Sequence, residues 1–491
     1  MNQATIRASS TLVEVSPDYE NILGDHLTYE HREHQIQSYV NGVWSPSKQV
    51  FTPVKLYFVQ DEKLYANSGL LGRIAKVLTD HGIAVNYDYS SMTNNVAEPD
   101  YNNIAVRIPD LKLRAGQDRV LGIVATHSHG QFEAPTGWGK TTIMGVICAM
   151  YPKAKIMICT PGVQLLSNTL SRLRNIFGLE VGCCMGSKHE SGRVIVTTYN
   201  SVKRAVTMFG NVPDIILVDE CHKVAAKNFS ESLAEITGYS KIFGFTATPE
   251  GRSDNAELVI EALLGPVVFR VVYDDMVAAG AVCPIRVAAV STAGAVDGPV
   301  VSTLSSQVSK KRHAYWRNNK RNQLIADSVR QLPVRYGLPD DAQTLILVET
   351  IEHANNLASL LPDFAVIHGE RDAQLAAQGI EAPSCNELRE QFESGTLRKA
   401  IATGMWGTGV DFVQLDVLVH ASGAPSHITT TQWAGRNSRI RNDKAFGLLV
   451  DYTDHWDPWA SGRAIKRVAT YRKHKWQVDK VSISKNSKQA M

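Results

Sequence analysis

The sequence contains no Cys-x-x-Cys pair, although seven cysteines are spread over its 491 residues, at positions 148, 159, 183, 184, 221, 283 and 385. An odd number without paired spacing excludes a disulfide framework and a cysteine-rich zinc site, and points instead to reduced, buried thiols. Long hydrophobic runs are missing too: nothing approaches the roughly 18 apolar residues of a membrane span. The opening Met1-Asn2-Gln3-Ala4-Thr5-Ile6 lacks the apolar core of a secretory leader, so a soluble cytoplasmic protein is expected. Strong net charge is absent as well. At a formal +3, any surface that holds a polyanion has to be local. No low-complexity segment interrupts the chain.

What is present is ordinary globular composition, 44% hydrophobic and 20% charged, over a length that implies two or three domains. From about residue 115, short β-branched runs alternate with helical patterns. The first set is Ile156–Cys159, Val194–Val196, Ile215–Val218 and Ile242–Phe245; the second is Leu345–Val348, Ala365–Ile367, Val417–Val419 and Leu448–Val450. Continuous apolar runs of this length suit strands covered on both faces, and their alternation with helices predicts parallel-sheet α/β layering. Ser291 to Ser309, rich in small residues, reads as an excursion near the start of the second sheet. The first hundred residues differ, with an Asn41-Gly42 turn signal and one amphipathic helix, Leu70 to His81. The expected organisation is a small α+β domain over 1–110, a sheet domain over 111–275 and a second over 276–491, ending in a basic C-terminal tail.

The most specific local pattern is Ala134-Pro135-Thr136-Gly137-Trp138-Gly139-Lys140-Thr141-Thr142. Small residues let backbone N–H groups curl around phosphate oxygens, and a helix starting at Thr141 would aim its positive end at them. Lys140 would set a charge against the β/γ-phosphates, and Thr141 would ligate Mg²⁺. Ala134 stands where glycine is usual. Roughly 80 residues later, Asp219-Glu220-Cys221-His222 follows an apolar run, which puts both carboxylates at a strand's ligand-binding end. Asp219 is suited to holding Mg²⁺, and Glu220 to deprotonating an attacking water.

The phosphate loop, Asp219-Glu220-Cys221-His222 and Thr246-Ala247-Thr248-Pro249 resemble motifs I, II and III of superfamily 2 helicases. Ala402 to Asp411 resembles motif V, and Gln432-Trp433-Ala434-Gly435-Arg436-Asn437-Ser438-Arg439 resembles motif VI. The resemblance covers residues 114–453. It implies two RecA-like parallel-sheet domains in tandem with a small N-terminal α+β domain, and an ATP- and Mg²⁺-dependent motor. On it, Gly409 and Asp411 contact nucleotide, Gln432 joins the γ-phosphate network, and Gln117 resembles the adenine-reading glutamine, although Gly116 replaces the usual preceding aromatic. Arg436 and Arg439, three apart, would share one face of a helical turn and stabilise charge on the γ-phosphate. Thr246 and Thr248 would relay the acidic pair to the rest of the motor.

By position in the same pattern, a nucleic-acid track would use Thr160, Pro161, Thr198, Tyr199, Thr350, His368 and Thr403. Two basic stretches stand apart from it: Arg463 to Lys488, with nine Lys/Arg and one acid, and Lys310 to Arg321. The segments Asn41-Gly42-Val43-Trp44, Lys63-Leu64-Tyr65 and Ser68 to Ile74 resemble the N-terminal module of phage recombination helicases. That implies a monomeric enzyme that unwinds or branch-migrates forks, Holliday junctions or R-loops in recombination, repair and replication, with DNA as the partner. An RNA helicase, a duplex translocase that never separates strands, and a non-enzymatic binding module remain open at this stage.

Overall fold

The computed structural model describes residues 3–9, 12–34, 39–40, 43–44, 49–91, 98–109, 111–225, 227–236, 241–247, 257–295, 297–406 and 412–483. The chain divides into two compact units, 1–134 with 139–271, and 135–138 with 272–491. No helix of the described residues is long and apolar enough to cross a membrane.

The first unit holds two sheets. Its N-terminal sheet runs in the order Tyr57–Gln60, Lys63–Asn67, Leu12–Ser16, Gln3–Ser9, Ala84–Ser91. Strict alternation along Gln3–Ser9 buries Ala4, Ile6 and Ala8 and leaves the residues between them to solvent, the signature of a sheet covered on one face. The covering layer is the helix Leu71–Asp80, close to the expected 70–81, whose Ile74, Val77 and Leu78 join Ile6, Val13 and Leu64 in one core. Two further two-stranded sheets pair Thr28–His34 with Gln49–Lys55, and Tyr39–Val40 with Val43–Trp44. Asn41-Gly42 lies between these last strands, outside the described residues.

The main sheet of this unit has eight strands: Lys188–Glu190, Val181–Met185, Val194–Thr198, Ile156–Thr160, Ile215–Asp219, Lys241–Thr246, His129–Glu133, Val267–Arg270. Every pairing is parallel except that of the first two. Ile156–Thr160, Val194–Thr198 and Ile215–Asp219 are buried at every residue, as their unbroken apolar runs require. The N-terminal module is joined to this sheet by close backbone packing. A Cβ on Gly69 would come within 2.3 Å of the Glu261 carbonyl oxygen, and Arg73 makes an ion pair with Glu261.

The second unit carries a wholly parallel seven-stranded sheet, ordered Ala365–Ile367, Lys399–Ala402, Thr344–Leu347, Val417–His420, Gly447–Tyr452, Ile285–Val290, Gln477–Val481. Here the basic C-terminal stretch departs from the expected tail. Its first part is the helix Pro458–Lys473, capped by Asp457, and Gln477–Val481 is a sheet strand. Arg467, fully buried, pairs with Asp451 and Asp454, and Arg321 pairs with Asp454 from the opposite helix. Isolated buried cations would cost several kcal/mol each, on the order of magnitude known for such groups; shared carboxylates offset that. Two of the arginines counted as basic surface in the sequence are therefore core.

All seven cysteines are free, six of them buried and Cys385 partly so, as their spacing implied.

Candidate nucleotide-binding site

The strand His129–Glu133 delivers the chain into the glycine-rich loop, and the helix Lys140–Met150 leaves it. Gly137 (φ +96°) and Gly139 (φ +102°) both occupy left-handed backbone, which a side chain would strain. Lys140 opens the helix and donates to the Ala134 carbonyl at 2.9 Å, so its ammonium is folded back over the loop. Thr141 follows it, and the Thr142 hydroxyl accepts from Arg172 at 3.2 Å. Gln117, 2% exposed, lies against the same loop: a Cβ on Gly139 would meet its Nε2 at 2.8 Å. Gln117 Oε1 accepts from the Arg114 backbone, which fixes the amide's orientation.

Ile215–Asp219 ends with Asp219 buried, and Glu220 turns the chain in left-handed backbone at φ +53°. A non-glycine residue held there is strained, and the surroundings have to over-determine it. They do so through Tyr199, whose hydroxyl donates to the carbonyls of Asp219 and Glu220 while its ring stacks on Phe229 at 3.7 Å. Burial, then the neighbouring Glu220 charge, push the Asp219 carboxyl well above its ordinary range, and Lys140 pulls it back. His222 closes the turn, with Nδ1 at 2.9 Å from Thr246 Oγ1 and 3.4 Å from Glu220 Oε2. Thr246 thus stands one ring away from the acidic pair; Thr248 and Pro249 lie outside the described residues.

This donor set suits Mg²⁺. The ion takes one or two carboxylates together with hydroxyl, water and phosphate oxygens, and a cation would relieve the cost of a buried Asp219 charge. No cluster of three His, Cys, Asp or Glu side chains forms an all-protein metal cage among the described residues.

In the second unit, Gln432 lies on the helix His427–Gly435, 8% exposed. Arg436 begins the 3₁₀ turn Arg436–Ser438, and Arg439 already has extended backbone (φ −69°, ψ 137°). The two arginines therefore do not share a helical turn as their spacing suggested, because the helix ends at Gly435. Gly409 and Asp411 lie outside the described residues.

Residues 105–251 match the family of the type III restriction enzyme res subunit. A presumed helicase, number 22 of Sulfolobus islandicus filamentous virus, is 23% identical over 248 residues, 48% of this chain and 42% of that protein. The chain thus spans less than half the length of this curated relative. A fragment of a presumed HsdR subunit of a type I restriction enzyme from Vibrio vulnificus superposes with a TM-score of 0.54 at 16% identity, covering 93% of this chain and 92% of that one. The chain has the fold of a superfamily 2 helicase. The crystal structure of UvsW from bacteriophage T4 is also similar, at 15% identity and a TM-score of 0.43, with 98% of this chain and all of that one covered.

In this helicase fold the strand-end residues proposed for a track are placed unevenly. Thr160 is buried and donates to the Thr197 carbonyl at 3.3 Å, with Pro161 beside it half-buried. Thr198 donates to Ser201, and Tyr199 lies beneath the Asp219–Glu220 turn. Thr350 caps the helix Ile351–Ala358 through His353 N at 3.3 Å. His368 is 5% exposed, and Thr403 is half-buried.

The helicase fold also brings in residues that sequence reading passed over. Phe269 puts its ring where a Cβ on Gly116 would fall, 2.7 Å away, so an aromatic reaches Gln117's neighbourhood from another strand. Lys444 donates to the carbonyl of Asn437 at 2.8 Å and to its Oδ1 at 3.1 Å, within the turn that carries Arg436. Asn437 in turn donates to Leu448, and the Cys283 N–H donates to Ser438. Burial lowers the Lys444 ammonium to about 8. No motif spacing marks Lys444, since its partners meet it only through tertiary folding.

Proposed function

We propose that this chain is an ATP-dependent DNA helicase or translocase of superfamily 2, turning over MgATP and acting on branched DNA. The observation that carries the reading is the convergence, within the first unit, of Lys140, Asp219, Glu220 and Gln117 at the strand ends where Ala134 and Gly139 flank the glycine loop. Gly137 and Gly139 free the loop's backbone N–H groups for phosphate, with Pro135, Thr136 and Trp138 completing it, and Lys140 supplies the charge. Thr141 and Asp219 would hold Mg²⁺, which neutralises phosphate charge when bound. Glu220 is held in place by Tyr199 and His222 to accept a proton from water. Arg436 and Arg439, with Gln432, Gly409 and Asp411, would act on the same nucleotide from the second unit. Groups split between two units make turnover depend on their relative movement, which is how hydrolysis would drive a strand. Thr160, Pro161, Thr198, Tyr199, Thr350, His368 and Thr403 are proposed to line its path. On this reading the enzyme works as a monomer in the cytoplasm, that of the host if phage-encoded, in recombination, repair and replication.

ATP turnover measured without nucleic acid and with single-stranded DNA, forked DNA, a four-way junction, an R-loop and RNA tests it. Stimulation by DNA, strongest with the branched substrates, is expected; stimulation by RNA alone, or none, overturns it. The match to a restriction-enzyme subunit supports one second reading, a duplex translocase that does not separate strands. Triplex displacement without unwinding would select that reading.

A further inference from the structure

Thr350 stands between Glu349 and Glu352, two carboxylates that would repel a phosphate backbone arriving at this strand end. The structure covers both. Lys311 pairs with Glu349; Arg317 pairs with Glu352, and Arg312 Nε lies 3.4 Å from the same carboxylate. These cations come from one segment, which also carries Lys310 and Lys320. Along the segment five cations stand against these two carboxylates and Asp297, which accepts from the Asn319 N–H, an excess of two; the ion pairs set Lys311, Arg312 and Arg317 at the end of Thr344–Leu347, the side of a parallel sheet where ligands bind.

The segment is built rather than draped. Arg312–Trp316 forms a π-helical turn, a form that concentrates at functional positions. Ala314, Tyr315 and Trp316 are buried in a small core with Val301, against which Trp456 and Trp459 pack. The Trp316 carbonyl accepts from Asn322 and Asn356, which locks the turn onto the two neighbouring helices. The cations stay on the outer side: the Arg312 and Arg317 side chains are 40% and 57% exposed. Arg321, the next basic residue, is excluded because it is fully buried.

We propose that Lys310, Arg312, Arg317 and Lys320 form a phosphodiester-binding site on the second unit, adding to the backbone grip at the strand end beside Thr350. The proposal rests on the reading that the chain works on nucleic acid. Phosphate is favoured over an acidic protein because the site adjoins the strand ends at which this fold class takes its ligands.

The test uses the full chain and fluorescence anisotropy with a single-stranded DNA oligonucleotide between 50 and 200 mM salt, about the range over which counterion release is read. Two variants are compared with the parent: the triple variant Lys310→Gln/Arg317→Gln/Lys320→Gln, and a control that removes three exposed charges elsewhere, Lys466→Gln/Arg472→Gln/Lys473→Gln. The site triple is expected to weaken binding by about tenfold or more and to flatten the log–log salt slope by about 2, roughly 0.7 for each lost phosphate contact on a single strand. Its ATP turnover without nucleic acid and its thermal melt should match the parent. The control triple is expected to leave the slope unchanged. An unchanged slope in the site triple, or an equal loss in the control, overturns the site while leaving the motor reading intact. Competition by polyglutamate as strong as by DNA would reassign the patch to an acidic protein and overturn it. A parent chain that neither binds nucleic acid nor is stimulated by it would sink the functional reading first.

Discussion

At the residue scale, the chemistry turns on a few side chains whose surroundings fix their roles. Lys140 has a carbonyl partner at 2.9 Å and no carboxylate ion pair among the described residues, so its charge is available to phosphate. Lys140→Ala is expected to lower ATP turnover at least 100-fold, and Glu220→Gln to lower it by about 10²–10⁴ through loss of the proton acceptor, both read by phosphate release. On the proposed function, Lys444 is a positioning residue. Its ammonium donates to backbone and side-chain oxygens around the Arg436–Ser438 turn, with no carboxylate among those partners. Lys444→Met keeps the stem's packing and removes the donors, so kcat should fall roughly tenfold with KM nearly unchanged; Lys444→Arg should restore part of it. A change in melting temperature with kcat intact would assign Lys444 a structural role only.

At the element scale, the strands most legible in the sequence were those whose Val and Ile runs leave no polar side to solvent, such as Ile215–Asp219 and Gly447–Tyr452. His129–Glu133 escaped notice because His-Gly-Gln-Phe-Glu has no β-branched residue. It is nonetheless internal to the sheet, with Gly130 packed against Val268 and the Gln131 amide donating to the Gly265 carbonyl at 2.7 Å. Gln477–Val481 escaped because its Asp479 is paired with Arg286, a contact invisible in sequence. The glycine loop and acidic pair were legible because their chemistry constrains consecutive residues, whereas the Lys444 contacts go to the non-consecutive Asn437 and Leu415. Gly69 offers a test of the N-terminal docking. Gly69→Val forces a side chain into the backbone of the helix Glu257–Leu264 and should cost about 3 kcal/mol. Earlier proteolytic release of the N-terminal module would show it.

Acid should weaken the second unit through the same kind of packing. Burial and Arg321 hold His353 at about 3, with Nε2 at 3.1 Å from the Asn322 amide oxygen, so the folded ring stays neutral. In the unfolded chain it takes up a proton near its ordinary value of about 6.5, so stability falls as pH drops from there toward 3. The slope from this one group is at most about 1.4 kcal/mol per pH unit. His420, also depressed by burial, adds to it. Burial alone would raise the Asp451 carboxyl, but Arg467 and His420 hold it well below the usual range. Its contribution is present above about 4 and lost below. Chemical denaturation followed by tryptophan fluorescence at pH 7, 5.5 and 4 should show this loss, and His353→Gln should flatten it.

For the whole molecule, the proposed motor divides its labour: Lys140, Asp219 and Glu220 belong to one unit, Gln432, Arg436 and Arg439 to the other. The most direct test is Arg439→Ala, with nucleotide binding and turnover measured on the same protein. Binding of a fluorescent ATP analogue is expected to stay within about threefold of the parent, with turnover reduced by about 10³ or more, as for a lost arginine finger. Turnover equal to the parent's at saturating DNA would contradict it.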